Sequence, residues 1–247
     1  MFKNTTKRLG PSITTNDGNF CRKAIDKFIT IIMDKKKVYE IKDSWDWVTH
    51  FENEIAEYTG YKYAVACDSN SNAIRLLLNY LNIQNQKITI PARTYVSVPN
   101  QIILSGNIPV FDDFEWDGIY PFIGAPIVDA ATGFWKNMSI GYEEYFMVLS
   151  FHFKKILNIG TGGMILTNDS NFEKWARPMI HDGRHKYNLY DDDEFECIGW
   201  HIYMTPEQAE RGLEIFNSDR VKDYNESVGG SWKYKDLREQ KIFTNYL

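Results

Sequence analysis

The chain has few cysteines, and this scarcity limits what can hold its fold together. Cys21, Cys67 and Cys197 lie far apart in a sequence of 247 residues. They lack the close spacing of zinc ligands. Three cysteines cannot all pair within one chain, so a disulfide framework is not expected. The pattern fits a reducing compartment, and we predict a cytoplasmic protein.

Long apolar runs are also absent from the sequence. Residues 1–12 carry no apolar core of the kind found in a secretory signal peptide. The apolar run at residues 28–33 is far shorter than the roughly 20 residues that span a bilayer as a helix. We therefore expect an intracellular protein that does not enter a membrane.

Positive charge is not in excess, because 28 Lys and Arg residues face 33 Asp and Glu residues. Nucleic-acid binding needs a concentrated basic face, and the lysine run at 35–37 is short and local. The five histidines form no zinc motif. The acidic run at 191–194 lacks the glycine and terminal glutamate of a calcium-binding loop. We expect neither a nucleic acid nor a metal ion as a ligand.

The sequence does contain alternating helix and strand patterns. Helical spacing of apolar residues predicts helices over 20–34, 44–58, 72–81, 98–104, 170–180 and 205–217. Short apolar runs predict strands at 63–67, 87–90, 109–111, 125–128, 146–151 and 163–167. This alternation predicts an α/β fold with a largely parallel sheet, in which ligands bind at the carboxyl ends of strands. Polar clusters at 68–71, 129 and 150–155 follow three of these strands.

The cluster after residue 149 combines lysines with a glycine-rich turn. An apolar strand runs into Lys154 and Lys155, and Gly160, Gly162 and Gly163 follow. A lysine at a crowded strand end loses its proton more easily, which suits Schiff-base chemistry. Taken alone, the segment is better explained as a hairpin with two solvent-facing lysines, because the glycine pattern is weak evidence by itself.

The other two clusters also have a chemical and a structural explanation. Asp129 follows a buried strand and has small neighbours, so it suits a partner for a flat heterocycle, but aspartate also caps helices. The turn at 68–71 precedes a helix and could bind a phosphate there, although ordinary capping explains it too. Tyr95 could stack on an aromatic ring, or pack in a core or an interface.

Together and in this order, the segments resemble the DegT/DnrJ/StrS family of pyridoxal-phosphate (PLP) dependent sugar aminotransferases. The resemblance runs from about Phe51 to about Phe216, and its most specific motif combines Ser150, Phe151, Lys155 and the glycines that follow. The remaining matches lie at 51–65, 69–73, 91–95, 105–113, 129–131 and 199–209. The ordered set outweighs the separate structural explanations of its parts.

The resemblance implies a PLP-transferase-like large domain, similar to that of aspartate aminotransferase, with a mostly parallel central sheet. It implies that Lys155 is the catalytic residue and holds PLP as a Schiff base, and that Asp129 pairs with the ring nitrogen. The further cofactor contacts that it implies are Asn70, Ser71 and Ser150 at the phosphate, Tyr95 on the ring, Thr132, and His201 from a neighbouring subunit.

The resemblance also implies an activity and an assembly. The family transfers an amino group from an amino acid such as glutamate to a keto sugar, often nucleotide-linked, in polysaccharide biosynthesis. The segment 199–204 matches an arm that reaches the neighbouring subunit's site, so we expect a homodimer with shared sites.

Several positions depart from the family pattern. Thr132 stands where Gln or His is usual, and Thr161 stands where Glu precedes the two glycines. His201 and Tyr203 stand where Asn and Arg are expected.

Two regions of the chain are also shorter than in the family. The stretch 113–129 is shortened, and the family's C-terminal small domain is largely absent after Asn225. We expect a PLP-binding domain over 1–225 and a remnant tail over 226–247. An alternative function is a catalytically silent relative that binds PLP or a sugar nucleotide, or serves as a partner subunit. A sugar dehydratase on the same scaffold carries a histidine at the lysine position, and Lys155 argues against it.

Overall fold

The computed structural model describes residues 38–218 and 227–246. Contacts divide the chain into the units Met1–Tyr39 and Glu40–Leu247, and every element described below belongs to the second unit. The helix predicted over 20–34 lies outside the described residues.

The described residues form alternating helices and strands. The α-helices are α1 (Asp46–Thr59), α2 (Asn70–Tyr80), α3 (Ser97–Leu104), α4 (Ser170–Met179) and α5 (Pro206–Phe216). The strands are β1 (Tyr63–Cys67), β2 (Lys87–Pro91), β3 (Ile108–Asp112), β4 (Tyr120–Pro121), β5 (Ile127–Asp129), β6 (Phe146–Ser150) and β7 (Gly163–Thr167). Short 3₁₀ turns lie at Tyr190–Asp192, Ser231–Lys233, Leu237–Glu239 and Lys241–Tyr246. All the predicted helices and strands that fall on described residues are confirmed, and the two-residue strand β4 was missed.

Helices α1 and α5 show how local sequence sets the elements and their packing. Helix α1 buries an apolar face that includes Phe51, and Gly60 ends the helix in the left-handed region with φ of 85°. Helix α5 begins with a reciprocal hydrogen-bonded cap between Thr205 and Gln208. A side chain at Gly212 would place Cβ 2.7 Å from the Phe51 ring, so glycine lets α5 pack closely on α1.

The main sheet has the strand order β1-β7-β6-β5-β4, and β2 and β3 form a separate parallel pair. The prediction of a largely parallel sheet is wrong within the main sheet. Strand β7 lies antiparallel between β1 and β6, β4 is antiparallel to β5, and only β5 and β6 are parallel there. The reason is the connections, because the segments 122–126 and 151–162 contain no helix that could carry the chain back across the sheet.

The polar clusters nevertheless meet at one edge of the sheet, as predicted. Strands β1 and β6 are both antiparallel to β7, and β5 is parallel to β6, so β1, β5 and β6 run in the same direction. Their carboxyl ends carry the turn that contains Ser69, the carboxylate of Asp129 and the segment from Ser150 onward.

The core lies on both faces of this sheet. Alternate residues such as Val65, Val148 and Ile165 join one apolar cluster with α2, α3 and α4. The intervening residues, including Ala64 and Met147, are equally buried, and α1 contacts both β1 and α5. Burial of both faces is typical of α/β folds. Within the described ranges, no helix has the length and apolar character needed to cross a bilayer.

Candidate active site

A cavity of about 630 Å³ opens at the edge where the polar clusters meet. This volume lies in the usual range for small-molecule sites. Every predicted site residue except His201 lines the cavity: Asn70, Ser71, Tyr95, Asp129, Thr132, Ser150 and Lys155. The structure therefore brings together side chains that are up to 85 positions apart, from Asn70 to Lys155.

Asp129 is the buried acid of the cavity. Its side chain is 3% exposed at the end of β5. Oδ1 accepts hydrogen bonds from Nδ2 of Asn70 at 3.2 Å and from the backbone N–H of Ala131 at 2.9 Å. Burial raises the pKa of Asp129, and these hydrogen bonds and the charge of Lys155 oppose that rise. Ionised Asp129 would gain from a cationic partner.

Tyr120 holds the second oxygen of this carboxylate. Its phenol donates to Oδ2 of Asp129 at 2.8 Å, and the hydroxyl of Thr94 lies 2.6 Å from the same phenol oxygen. Because the phenol has one hydrogen and gives it to Asp129, the Thr94 hydroxyl is the donor in the second bond. Burial and the charge of Asp129 raise the pKa of Tyr120 well above its ordinary value, so the phenol stays protonated.

Lys155 lies in the turn that follows β6. Its backbone N–H donates to the carbonyl of His152 at 2.8 Å, which sets the turn. Within residues 38–218 and 227–246, its amine makes no hydrogen bond or ion pair. Burial lowers the pKa of Lys155, Asp129 opposes this shift, and Lys233 adds to it. The neutral, nucleophilic amine is therefore favoured relative to an exposed lysine.

The glycine pair after this turn brings β7 against the start of α2. A Cβ at Gly163 would lie 2.3 Å from the carbonyl carbon of Ser69 and 2.5 Å from the nitrogen of Asn70. Gly162 has φ of 146°, which favours glycine. The close neighbour of Gly163 is therefore the chain's own backbone.

The start of α2 supplies polar groups to the cavity. Ser69 caps the helix by accepting from the N–H of Asn72, and Ser71 donates to the hydroxyl of Ser97 at 2.8 Å. The amide of Asn70 is directed at Asp129 and at the carbonyl of Val148. Because the side-chain amide of Asn70 is engaged in this way, its backbone N–H is the group that could contact a phosphate.

The remaining predicted residues differ in how they meet the cavity. Tyr95 is 59% exposed at its rim. Thr132 is buried, and its hydroxyl oxygen lies 2.8 Å from the carbonyl of Gly229 and 3.0 Å from that of Gly118, which share its one hydrogen. His201 lies outside the cavity, exposed, with Nδ1 2.6 Å from Oδ2 of Asp182. Its segment is hydrogen-bonded to residues 68 and 179–182 of the same chain, and its contact with a neighbouring subunit stays a prediction.

Sequence reasoning missed several residues that line the cavity, among them Ser97, Trp116, Tyr120, Lys233 and Tyr234. Ser97 could have been found, because a hydroxyl before Val98 and Pro99 is a typical helix start. Tyr120 had no comparable signal, since its strand has only two residues.

Comparison with known proteins gives consistent matches. The sequence matches the model of the DegT/DnrJ/EryC1/StrS aminotransferase family over residues 33–121 and 126–218. It is 26% identical over 234 residues to the GDP-perosamine synthase of Caulobacter vibrioides, which covers 78% of this chain and 62% of that protein. It is 32% identical over 228 residues to the UDP-4-amino-4-deoxy-L-arabinose–oxoglutarate aminotransferase of Shewanella sediminis, with coverage of 87% and 49%. The chain thus spans about half to two thirds of the length of these relatives.

A solved structure shares the fold. NtdA from Bacillus subtilis, with its bound cofactor PMP, superposes with a TM-score of 0.56 at 17% identity and covers 83% of this chain and 54% of that one. The predicted α/β, PLP-transferase-like fold class is confirmed.

Proposed function

Because this chain belongs to the DegT/DnrJ/EryC1/StrS aminotransferase family, we propose that it is a PLP-dependent aminotransferase. Its substrates would be a keto sugar, nucleotide-linked, and an amino acid donor such as glutamate. The names of the two relatives support this choice, since both refer to an amino sugar carried by a nucleotide. The carrying observation is that one cavity holds both a buried carboxylate, Asp129, and a lysine amine, Lys155, with no ion pair to a described residue.

The cavity fits a flat, phosphorylated heterocycle with a basic ring nitrogen. Asp129 is fully desolvated and its pKa is raised, so a protonated ring nitrogen beside it would stabilise its charged form. Tyr95 lines the same cavity and offers an aromatic face. These residues match the chemistry of PLP and PMP.

Bound PLP supplies an aldehyde that condenses with amines and a ring that accepts electrons. Asp129 would keep the proton on the ring nitrogen and so maintain that capacity. Nζ of Lys155 would hold the cofactor until the amino group of the donor replaces it. The freed amine would then take a proton from the α-carbon of the donor and deliver one to the sugar carbon that receives nitrogen. Its lowered pKa suits this role, because the amine must be neutral before it accepts a proton.

The phosphate would bind where two helix starts and one strand end converge. Ser71 is the second residue of α2, Ser97 is the first residue of α3, and Ser150 is the last residue of β6. All three serines line the cavity. Backbone N–H groups at the start of α2 add partial positive charge. Thr132 would contribute a cavity wall near Asp129.

The assembly and location also belong to this proposal. We place the protein in the cytoplasm, and the free thiols of Cys67 and Cys197 support a reducing compartment. A homodimer would bring His201 to the partner's cofactor phosphate. A role in polysaccharide biosynthesis is supported by the name of a further relative, the spore coat polysaccharide biosynthesis protein SpsC of Bacillus subtilis.

Absorbance spectroscopy of the purified chain with added PLP tests the proposal. We expect a visible band, and borohydride reduction followed by peptide mapping should find the cofactor on Lys155. Neighbouring Lys154 is the internal control, because its amine lies over the Phe153 ring, 5.6 Å from the ring centroid. Labelling of Lys154, or no band at saturating PLP, would refute the proposal. Loss of the band on adding glutamate would separate an aminotransferase from a silent PLP-binding relative.

A further inference from the structure

A lysine on the C-terminal segment 227–246 lines the cavity together with Lys154 and Lys155. We propose that Lys233 is a recognition residue that binds an oxyanion of the substrate. This inference rests on the proposed function and adds a specificity residue to its site. From the sequence alone, this segment was expected to be only a remnant tail.

The segment is fixed to the cavity wall by backbone hydrogen bonds. The N–H of Val228 donates to the carbonyl of Thr132 at 2.9 Å, and the N–H of Gly118 donates to the carbonyl of Gly229 at 2.9 Å. The N–H of Ser231 donates to the carbonyl of Trp116 at 3.0 Å. Two segments of the chain, at residues 116–118 and at residue 132, thus hold the short turn that contains Lys233.

Side chains extend this attachment beyond the turn. The ring of Tyr234 stacks on Trp116, with ring centroids 5.7 Å apart and an angle of 25° between the planes. Further along, Asp236 lies 3.6 Å from the guanidinium of Arg93, and Arg238 lies 3.3 Å from Asp113. The backbone of residue 233 is therefore held from both sides, and its side chain has a defined place at the cavity.

The charge balance of the cavity favours an anion. Among the residues that the structure describes, its lining contains Lys154, Lys155 and Lys233 but one carboxylate, that of Asp129. The charge of Asp129 is buried and acts on Lys155, which we assign to the cofactor. The ammonium groups of Lys154 and Lys233 remain at the opening and attract an anionic ligand.

Lys233 is the lysine of the three that remains available. Lys155 is assigned to the cofactor, and the amine of Lys154 lies against the ring of Phe153. The amine of Lys233 donates to one backbone carbonyl, that of Val228, and pairs with no carboxylate in the described part of the chain. An ammonium group has three donors, so at least two are left for a ligand.

The side chain of Lys233 also lies close to Thr132. Its Cδ would lie 3.3 Å from a Cβ at Gly229, and the same Cβ would lie 3.3 Å from the methyl carbon of Thr132. Lys233 therefore lies beside the segment that follows Asp129. The lowering effect of its charge on the pKa of Lys155 agrees with a place near the reacting amine.

Two substrates of the proposed reaction carry an oxyanion. The amino donor has carboxylates, and a sugar nucleotide has a diphosphate. Both would accept charge-assisted hydrogen bonds from an ammonium group.

The experiment uses the full chain loaded with PLP and compares Lys233→Met, Lys233→Arg and the control Lys235→Met by titration calorimetry. The probes are 2-oxoglutarate for the donor side and UDP and GDP for the nucleotide side. We expect Lys233→Met to weaken at least one class of probe by about 10- to 100-fold. Lys233→Arg should stay close to wild type, because it keeps the charge. Lys235→Met removes a lysine that is also exposed but lies outside the cavity, and it should bind as wild type does.

The two classes of probe distinguish the donor carboxylate from the diphosphate as the anion that Lys233 binds. Weaker 2-oxoglutarate binding alone assigns Lys233 to the donor carboxylate, and weaker nucleotide binding alone assigns it to the diphosphate. Unchanged affinity for all probes overturns the inference, as does a loss confined to PLP affinity, which would place the charge on the cofactor. If wild type forms no visible band with PLP, the proposed function itself fails, and this result is seen before any variant is compared.

Discussion

The phenol of Tyr120 and the carboxylate of Asp129 form a buried pair, joined by a hydrogen bond of 2.8 Å. Tyr120 is 2% exposed and Asp129 is 3% exposed, so water does not compete for this bond. Asp129 would otherwise have one unsatisfied oxygen in a desolvated site, which is costly. The pair thus keeps a charged acid where the proposed cofactor needs one.

Removal of the phenol should therefore weaken cofactor binding. In Tyr120→Phe, Oδ2 of Asp129 loses its donor, and the pKa of Asp129 should rise further, because that hydrogen bond lowers it. We expect PLP affinity to fall by roughly tenfold, since a hydrogen bond to a charged group contributes about 1.5–3 kcal/mol. Equilibrium titration of the visible band at several pH values measures both effects.

Tyr61→Phe is the matched control for this variant. Tyr61 is also buried, and its hydroxyl donates to the carbonyl of Tyr142 outside the cavity. It should lose some stability and keep its PLP affinity. Equal PLP affinities in both variants and in wild type would show that Tyr120 supports only the fold.

Asp129→Asn should weaken cofactor function more than folding. Asparagine is nearly isosteric and removes a charge whose burial is unfavourable, so the unfolding midpoint in urea should change little. The protonated ring nitrogen loses its partner, and we expect PLP to bind at least about tenfold more weakly. Unchanged PLP affinity with a clear loss of stability would assign Asp129 to a purely structural role.

The strand-end residues could be predicted from the sequence because their signals are local. An apolar run predicts the strand, and the Ser150, Lys155 and glycine residues that follow it indicate where the strand ends. Tyr120 and Lys233 could not be found in this way, because long-range contacts bring a two-residue strand and a terminal segment to the cavity. The prediction of parallel strands was wrong for a related reason. The direction of each strand depends on the path of the connection before it, and apolar patterns do not encode that path.

The pH dependence of the reaction of Lys155 with an amine-directed reagent should depend on the charges of Asp129 and Lys233. Asp129 raises the pKa of Lys155, and burial and Lys233 lower it. The pH at which Lys155 becomes half-reactive in the cofactor-free chain should therefore lie below 10.5, the ordinary lysine value. It should fall further in Asp129→Asn and rise in Lys233→Met.

Mass-spectrometric quantification of labelled Lys155 across a pH series gives these three midpoints. Opposite shifts in the two variants exclude a general loosening of the cavity, since loosening would move both midpoints the same way. Equal midpoints in all three proteins would contradict the electrostatic account.

The ion pair between Glu52 and Arg177 should be the most sensitive of the buried contacts away from the cavity. Glu52 is 3% exposed, and its Oε1 lies 2.7 Å from Nη1 of Arg177 and 2.7 Å from the N–H of Ala66. Arg177→Met leaves a buried carboxylate without its counter-ion, and we expect a loss of about 3 kcal/mol in the free energy of unfolding.

Urea unfolding of Arg177→Met and of the double variant with Glu52→Gln measures this loss. The double variant should recover part of it, because no uncompensated charge remains. Lys42→Met removes the exposed pair with Glu40 and should have no measurable effect. A loss as small in Arg177→Met as in Lys42→Met would show that solvent, not Arg177, stabilises Glu52.

Shared sites in a homodimer are the last prediction, and the segment before His201 offers a test. Residues 187–198 expose several large apolar side chains, and Ile198 is 96% exposed in the single chain. Exposed apolar groups of this kind usually mark interfaces. We expect light scattering to give a dimer at micromolar concentration, and Ile198→Asp to shift it toward monomer.

PLP affinity should fall together with dimerisation in Ile198→Asp, because the monomer loses the contribution that we propose for His201. Ile140→Asp is the control: Ile140 is also exposed, at 73%, in the turn before β6, and it should leave the dimer intact. A wild-type monomer would contradict the prediction directly. A stable dimer in which His201→Ala leaves PLP affinity unchanged would show instead that the chain assembles without sharing its sites.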